Sequence, residues 1–335
     1  MQLHHHVDLT PANTMALACV AERVYELDNE QDLNQCFQQG VLRESPLVLG
    51  GGSNVLLPPR LNRPVLRYRG HSVKYYCAGE QVEVVAEAGK DWDTLVAETV
   101  QKGLSGLENL SLIPGSVGAA PVQNIGAYGV EMANVMPWLE AFDLQQGQVR
   151  RFSNKQCAFA YRDSLFKRQP GRYLITRVAF LLWRGEPFTL SYAGLEELAE
   201  QPDLSPSMIR EKVIELRSNK LPDPRHIPNS GSFFKNPVVT EAQFEKLKQR
   251  FPTIVSYPLE NRQYKVAAGW LIDQLGFKGY ALGAFSVHDK QALVLTHQGG
   301  KESRDRLLQL ADVIKGRVLD TYGITLEIEP DVVSQ

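Results

Sequence analysis

The chain has 335 residues, enough for two or three domains and a sizeable core. Its 36 lysines and arginines against 38 aspartates and glutamates leave a formal charge of −2, which speaks against a general role on nucleic acid or a membrane surface. Cys19, Cys36, Cys77 and Cys157 are scattered and form no CxxC pair, so no zinc site, other metal or disulfide framework is expected, and a reduced cytoplasmic setting fits. No apolar run approaches the ~20 residues of a membrane span, and no signal-peptide h-region opens the chain.

In chain order, His4-His5-His6 between Leu3 and Val7 is a tag remnant or a native polar terminus and a weak metal signal, and Thr10-Pro11-Ala12-Asn13-Thr14 reads as a turn. A helix is expected from about Glu30 to Gln39, ended by Gly40. Ser45 to Leu49 reads as a short buried strand running straight into Gly50-Gly51-Gly52-Ser53-Asn54. Phosphates are often held where a strand ends in glycines, because several N–H groups converge there. Val55-Leu56-Leu57 continues as strand, which breaks the GxGxxG pattern, and no Gly-Lys-Ser/Thr follows. A Rossmann site is therefore disfavoured and a Walker loop excluded.

Val82 to Gly89 alternates like a strand. Asp91 then caps a helix with Trp92, Leu95, Val96 and Val100 on one face, stopped by Gly103. Pro114 to Gly129 follows, sixteen residues without a charge. Gly115, Gly118, Gly126 and Gly129 permit positive φ or close approach, and Ala119 and Ala120 leave room beside them. Such a segment offers main-chain donors to an anionic ligand, the alternative being a tight turn inside a packed core. Leu139–Leu144 and Val149–Phe152 read as a hairpin closed by Gln145 to Gln148, Tyr173–Trp183 as a long strand, and Ile209, Val213 and Leu216 as a helix stripe.

Leu221 to Pro228 has three prolines in eight residues and reads as a linker. Beyond it, Thr240-x-x-Gln243 signals a capping box before Phe244, Leu247 and Phe251. Further helices are expected through Ala268, Leu271, Ile272 and Leu275, and through Leu307, Ala311, Ile314 and Val318, with a strand at Ala292–Thr296.

Polar chemistry clusters in three places. In Tyr161-Arg162-Asp163-Ser164, Arg162 is an anion clamp oriented by its neighbours, or a surface charge. In Asn229 to Asn236, Phe233 and Phe234 beside small hydroxyl residues suggest a partly dry pocket. Ser232 there is a candidate or a turn cap, and no Gly-x-Ser-x-Gly elbow marks it as a hydrolase nucleophile. The third is Glu327-Ile328-Glu329-Pro330-Asp331, a solvated end unless its surroundings lift one carboxylate into a site.

The blocks Leu49–Leu56, Ile113–Gly129, Tyr161–Ser164, Gly231–Pro237 and Ala267–Asp273, in this order, resemble the UDP-N-acetylenolpyruvoylglucosamine reductases of peptidoglycan precursor synthesis. The resemblance spans roughly residues 45 to 330. It implies an α+β fold with an FAD-binding domain of the vanillyl-alcohol-oxidase/PCMH type in two subdomains, residues 1–70 and 71–220. A substrate-binding domain, 221–328, and a C-terminal segment, 329–335, carrying Glu329 would follow. The cofactor loops would be Gly50, Gly51, Gly52, Ser53 and Asn54, and Pro114, Gly115, Ser116, Gly118, Ala119, Asn124, Gly126, Ala127 and Tyr128. Neither has a histidine or cysteine to attach flavin, so the FAD is expected to be noncovalent.

By the same resemblance, NADPH and UDP-N-acetylglucosamine enolpyruvate use one cleft in turn. A hydride passes from NADPH to flavin N5 and then to C3 of the enolpyruvyl group, and Ser232 protonates C2. Arg162 offsets negative charge, and Glu329, preferred to Glu327 on register with Gly323-Ile324-Thr325-Leu326, assists at the carboxylate. Tyr192 matches the loop tyrosine of the family's longer type, while Tyr161, Lys220, Asn236, Tyr257 and Gln291 match substrate contacts. A cytoplasmic monomer with no nucleic-acid or membrane partner is expected. Asn13-Thr14-Met15-Ala16-Leu17 and Asp331 to Gln335 depart from the family pattern. Another flavin oxidase of the same fold would not need the Gly231–Pro237 block, and a non-enzymatic sugar-binding module would not need Ser232, Arg162 and Glu329.

Overall fold

In the computed structural model, which describes residues 1–300 and 302–334, helices and strands mix in an α+β arrangement. Gln335, the last residue of the expected C-terminal segment, lies outside the described residues. The chain forms two units. The first takes Met1–Val7, Ala21–Gly52 and Leu61–Asn219, and the second takes Asp8–Val20, Ser53–Arg60 and Lys220–Gln335.

The first unit is built on an antiparallel sheet in the order Gln148–Ser153, Trp138–Asp143, Tyr173–Arg184, Gln81–Glu87 and Val73–Ala78. Val82, Val84 and Ala86 alternate inward and are buried, as the period of two demands. The hairpin closes where expected, with Asp143 accepting from the amides of Gln145 and Gln146, each at 3.0 Å. Helix Trp92–Gln101 starts because Asp91 accepts from Thr94 N at 2.8 Å. It lays Trp92, Leu95, Val96 and Val100 into the sheet's core. Burial of each is worth about 1.5–3 kcal/mol. A second sheet pairs Val20–Leu27 and Leu47–Val48 in parallel with Val65–Tyr68, and adds Gln2–Asp8 at its edge.

In the second unit, Asn229–Ser232, Val294–His297, Phe285–Val287 and Ala281–Leu282 form one antiparallel sheet, and Val238–Thr240, Gln263–Val266 and Ser256–Leu259 another. Helices Glu241–Arg250, Ala268–Gln274 and Arg304–Tyr322 cover the core, the first begun by the Thr240–Gln243 capping box. Phe233 and Phe234 are fully buried in this core, meeting edge to face at 5.3 Å. Phe233 N donates to Leu293 O at 2.8 Å and Phe234 forms a bridge with Ile328, which fixes both residues in that core.

The early segments of this unit are held by polar contacts. Buried Asn13 donates to the carbonyls of Leu9, Thr10 and Leu17 and accepts from Leu17 N, which folds Met15 and Leu17 into the core. Val55–Leu56 pairs in parallel with Asp331–Val332. Arg304 spans that pair, donating to Leu56 O at 3.1 Å and to Val333 O.

Candidate functional site

Two glycine loops meet in the first unit. A Cβ built on Gly51 would stand 2.8 Å from Gly115 Cα, and one built on Gly50 would stand 2.7 Å from Ser116 Oγ. Only glycine permits so close an approach of backbone to backbone. The second loop is pinned from behind, where Val117 N donates to Lys90 O, Gly118 N to Ala88 O and Trp92 N to Gly115 O. Gly118 lies so close to Ala88 that an added Cβ would sit 2.5 Å from its methyl. Ala119 N turns back to Ser116 O at 3.0 Å, while Pro114 is exposed. Among the described residues, the amides of Gly50, Gly51, Gly52, Gly115 and Ser116 donate no hydrogen bond.

The loop's second half is fixed by Asn124, which is buried in the left-handed region at φ 47°. Its amide donates to Glu131 at 2.7 Å and Ala160 O at 3.3 Å, and its Oδ1 accepts from Ala133 N. Gly126 and Ala127 pair with Glu131 and Val130 in a short hairpin. Arg162, at φ 53°, aims both Nη atoms at Gly126 O, 3.3 and 3.2 Å away, and its guanidinium lies 5.6 Å from the Tyr161 ring. The neighbouring Asp163 carboxylate pairs with Arg168.

Tyr128 is buried, meets the half-exposed Tyr192 edge-on at 4.9 Å, and its carbonyl accepts from Asn109 at 2.8 Å. Burial pushes the Tyr128 hydroxyl up, offset in part by Arg217. Asp93 takes Arg210 bidentate at 2.6 and 2.8 Å. Burial alone would raise the Asp93 carboxyl, yet these bonds and the Leu112 amide hold it below its ordinary range. Sequence reasoning missed Arg217 altogether.

The chain passes into the second unit within the first glycine loop, at Ser53 and Asn54. Ser53 O lies 3.4 Å from Thr14 Oγ1, and Asn54 brackets the C-terminal strand, accepting from Asp331 N at 2.9 Å. Ser232 ends a strand opposite Val294, after a bulge in which Gly231, at φ 72°, donates to Asn229 Oδ1 at 2.8 Å. Asn229, at the head of the 229–236 cluster, also donates to Pro222 O and Ile227 O.

Glu329 is buried, with its amide on Phe233 O at 2.9 Å. The side chain of Glu327 is 72% exposed and pairs with Lys235 at 3.1 Å. Asn236 accepts from Ala268 N at 2.9 Å, at the start of helix Ala268–Gln274. Gln291 lies beside Gly269, Tyr257 is exposed, and exposed Lys220 ends helix Pro206–Lys220.

Comparison with known proteins agrees with this arrangement. Residues 21–153 match the FAD binding domain, and residues 223–333 match the C-terminal domain of UDP-N-acetylenolpyruvoylglucosamine reductase. The reductase of Pseudomonas putida is 42% identical over 337 residues, 99% of each chain. That of Bdellovibrio bacteriovorus is 43% identical, covering 98% of this chain and 99% of the relative. A crystal structure of the reductase from Thermus caldophilus shares the fold, with TM-score 0.71 at 23% identity and full coverage of both chains. An FAD-binding domain is thus part of this flavoenzyme, and the chain belongs to the UDP-N-acetylenolpyruvoylglucosamine reductase family.

Proposed function

We propose that this enzyme uses NADPH and noncovalent FAD to reduce UDP-N-acetylglucosamine enolpyruvate to UDP-N-acetylmuramate, acting as a cytoplasmic monomer in peptidoglycan precursor synthesis. The observation that carries the reading is the pair of touching glycine loops with five amides that donate to nothing around them. Backbone donors gathered in this way suit the diphosphate of a dinucleotide. FAD held there would supply the hydride-transfer chemistry between NADPH and C3 of the substrate.

The chain's own residues supply the rest. Gly50 to Asn54 and the Pro114–Tyr128 segment hold the cofactor. Ser232 gives a proton to C2, so that hydride and proton together saturate the double bond. Arg162, whose Nη atoms already lean on a carbonyl, offsets negative charge on the carboxylate side of the substrate. Glu329 assists there as a carboxylic acid. Its burial supports it over Glu327, whose charge is solvated and spoken for by Lys235. Tyr161, Tyr192, Lys220, Asn236, Tyr257 and Gln291 bind the UDP-sugar, with the ammonium of Lys220 on phosphate.

The test is spectroscopic. Under anaerobic conditions NADPH should bleach the flavin absorbance of the purified holoenzyme, and the enolpyruvyl UDP-sugar should restore it. Bleaching without recovery would overturn the assignment of substrate.

A further inference from the structure

The strand that carries Ser232 is interrupted just before it. Asn229 pairs with Thr296 and Ser232 with Val294, so three steps along one strand face two along the other. The extra residue breaks the ladder between them, and Gly231 there takes the left-handed conformation at φ 72°. Main-chain bonds hold the strand on either side of this bulge. His297 N donates to Pro228 O and Asn229 N to Thr14 O, each at 2.9 Å, and Phe233 N donates to Leu293 O at 2.8 Å. Inside the bulge the holding is done by a side chain.

That side chain is the buried Asn229. Its Nδ2 donates to Pro222 O at 3.0 Å and to Ile227 O at 2.8 Å, and its Oδ1 accepts from Gly231 N at 2.8 Å. Both amide hydrogens are engaged by carbonyls of the proline-rich linker, and the oxygen by the bulge. Turned the other way, the amide would set oxygen against two carbonyls and NH2 against an N–H, so one orientation alone is satisfied. Aspartate, of the same shape, would set a carboxylate against those carbonyls. One planar group thus ties the linker to the residue that precedes Ser232.

The direction in which the Ser232 side chain leaves the strand follows from the dihedrals of Gly231, which glycine alone would leave loose. On the far side of Ser232, Phe233 O accepts from Glu329 N at 2.9 Å. The bulge therefore sets the Ser232 hydroxyl relative to the segment that carries Glu329.

We propose that Asn229 is a positioning residue for Ser232, fixing the bulge from which that hydroxyl is offered for proton transfer. The proposal rests on the reading of Ser232 as the proton donor to C2. A reacting group displaced by about 1 Å can lose about 10²-fold in rate, so a side chain that makes no contact with substrate can still govern the step.

Asn229→Ala and Gly231→Ala test this in the holoenzyme, with Ser232→Ala as reference. The methyl added at Gly231 meets nothing within 4 Å, so that variant disturbs the bulge through its φ alone. In stopped-flow absorbance, bleaching by NADPH should stay within twofold of wild type in both variants. Reoxidation by saturating enolpyruvyl UDP-sugar should slow about 10- to 100-fold. Added to Ser232→Ala, Asn229→Ala should slow reoxidation by no more than a further twofold, because the hydroxyl it positions is gone. Hydrogen-exchange mass spectrometry should show faster exchange in the peptide containing Gly231 of Asn229→Ala, with helix Arg304–Tyr322 unchanged.

Equal slowing of both half-reactions, or an undiminished loss in the Ser232→Ala background, would overturn the proposal in favour of a purely structural asparagine. Should alanine at position 229 block folding, Gly231→Ala decides by the same ratio of half-reactions. If Ser232→Ala is impaired while Asn229→Ala and Gly231→Ala reoxidise within twofold of wild type, this proposal alone is overturned. If the wild type does not recover its colour, or Ser232→Ala reoxidises at the wild-type rate, the donor reading of Ser232 fails and takes the proposal with it.

Discussion

Gly51→Ala probes the contact between the two loops. The added methyl would stand 2.8 Å from Gly115 Cα and 3.2 Å from its carbonyl carbon. Ordinary contact begins near 3.4 Å, so the loops must part by about 0.6 Å. Both colliding atoms are main chain, and no rotamer relieves them. Gly51 is exposed and its φ lies outside the left-handed region, so the apoprotein can open the loops and its melting temperature should change little. Under the proposed assignment FAD needs them closed. If the overpacking cost of about 1–3 kcal/mol falls on binding, the FAD dissociation constant rises by a factor of roughly 5 to 150.

Fluorescence titration of apoprotein with FAD measures this directly. Gly50→Ala is the graded control, because its methyl meets the Ser116 hydroxyl, which can rotate away, and its loss should be smaller. Gly40→Ala is the negative control. It strains a φ of +77° in open space, and should lower stability by about 1 kcal/mol while leaving FAD affinity alone. An FAD affinity within twofold of wild type for Gly51→Ala, with normal melting, would refute the loops' assignment.

The Ser232→Ala variant should still bleach with NADPH but lose reoxidation by the UDP-sugar; equal slowing of both half-reactions in stopped-flow absorbance would remove its proton-donor role. Glu329→Gln should slow reoxidation by about 10²-fold or more, whereas Glu327→Gln, breaking a surface pair worth about 0–1 kcal/mol, should stay within twofold; the reverse order would transfer the role to Glu327. Asp143 is buried and held by Arg172 at 3.0 and 2.8 Å and by two amides, which outweigh burial and keep its carboxyl below the ordinary range. A depressed native pKa gives stability that is complete above the unfolded value of about 3.9 and fades as pH falls through the native one. Asp143→Asn should therefore melt lower at neutral pH and show a flatter acid limb in a melting-temperature series from pH 7 to 3.

Helix starts were the most legible part of the fold. Asp91 with Thr94, and Thr240 with Gln243, are local hydrogen bonds written within four residues. The glycine loops were legible as backbone that approaches a neighbour closely, because glycine has no side chain to keep it away. Strand Val20–Leu27 escaped notice, since its pairing with Val65–Tyr68 is made far away in sequence and charges at Glu22, Arg23 and Glu26 interrupt its pattern. The reach of Arg162 to a carbonyl thirty-six residues away was not legible, because that pairing is made by the fold and not by its sequence neighbours. Arg217 was invisible for a similar reason. A cation in a helix reads as a solvated face until the groups around it, Tyr128, Asp93 and Arg162, are known.

The pairing of Val55–Leu56 with Asp331–Val332 bears on how the protein is made. During synthesis Val55 leaves the ribosome long before Asp331 exists, so this edge of the second unit must wait for the residues between them. The segment carrying Glu329 is locked by those contacts, with Arg304 bridging Leu56 and Val333. A nascent or truncated chain thus lacks the lock on Glu329 until Asp331 to Val333 have been made. A flavin loaded early would then meet an incomplete enzyme rather than an active one released too soon.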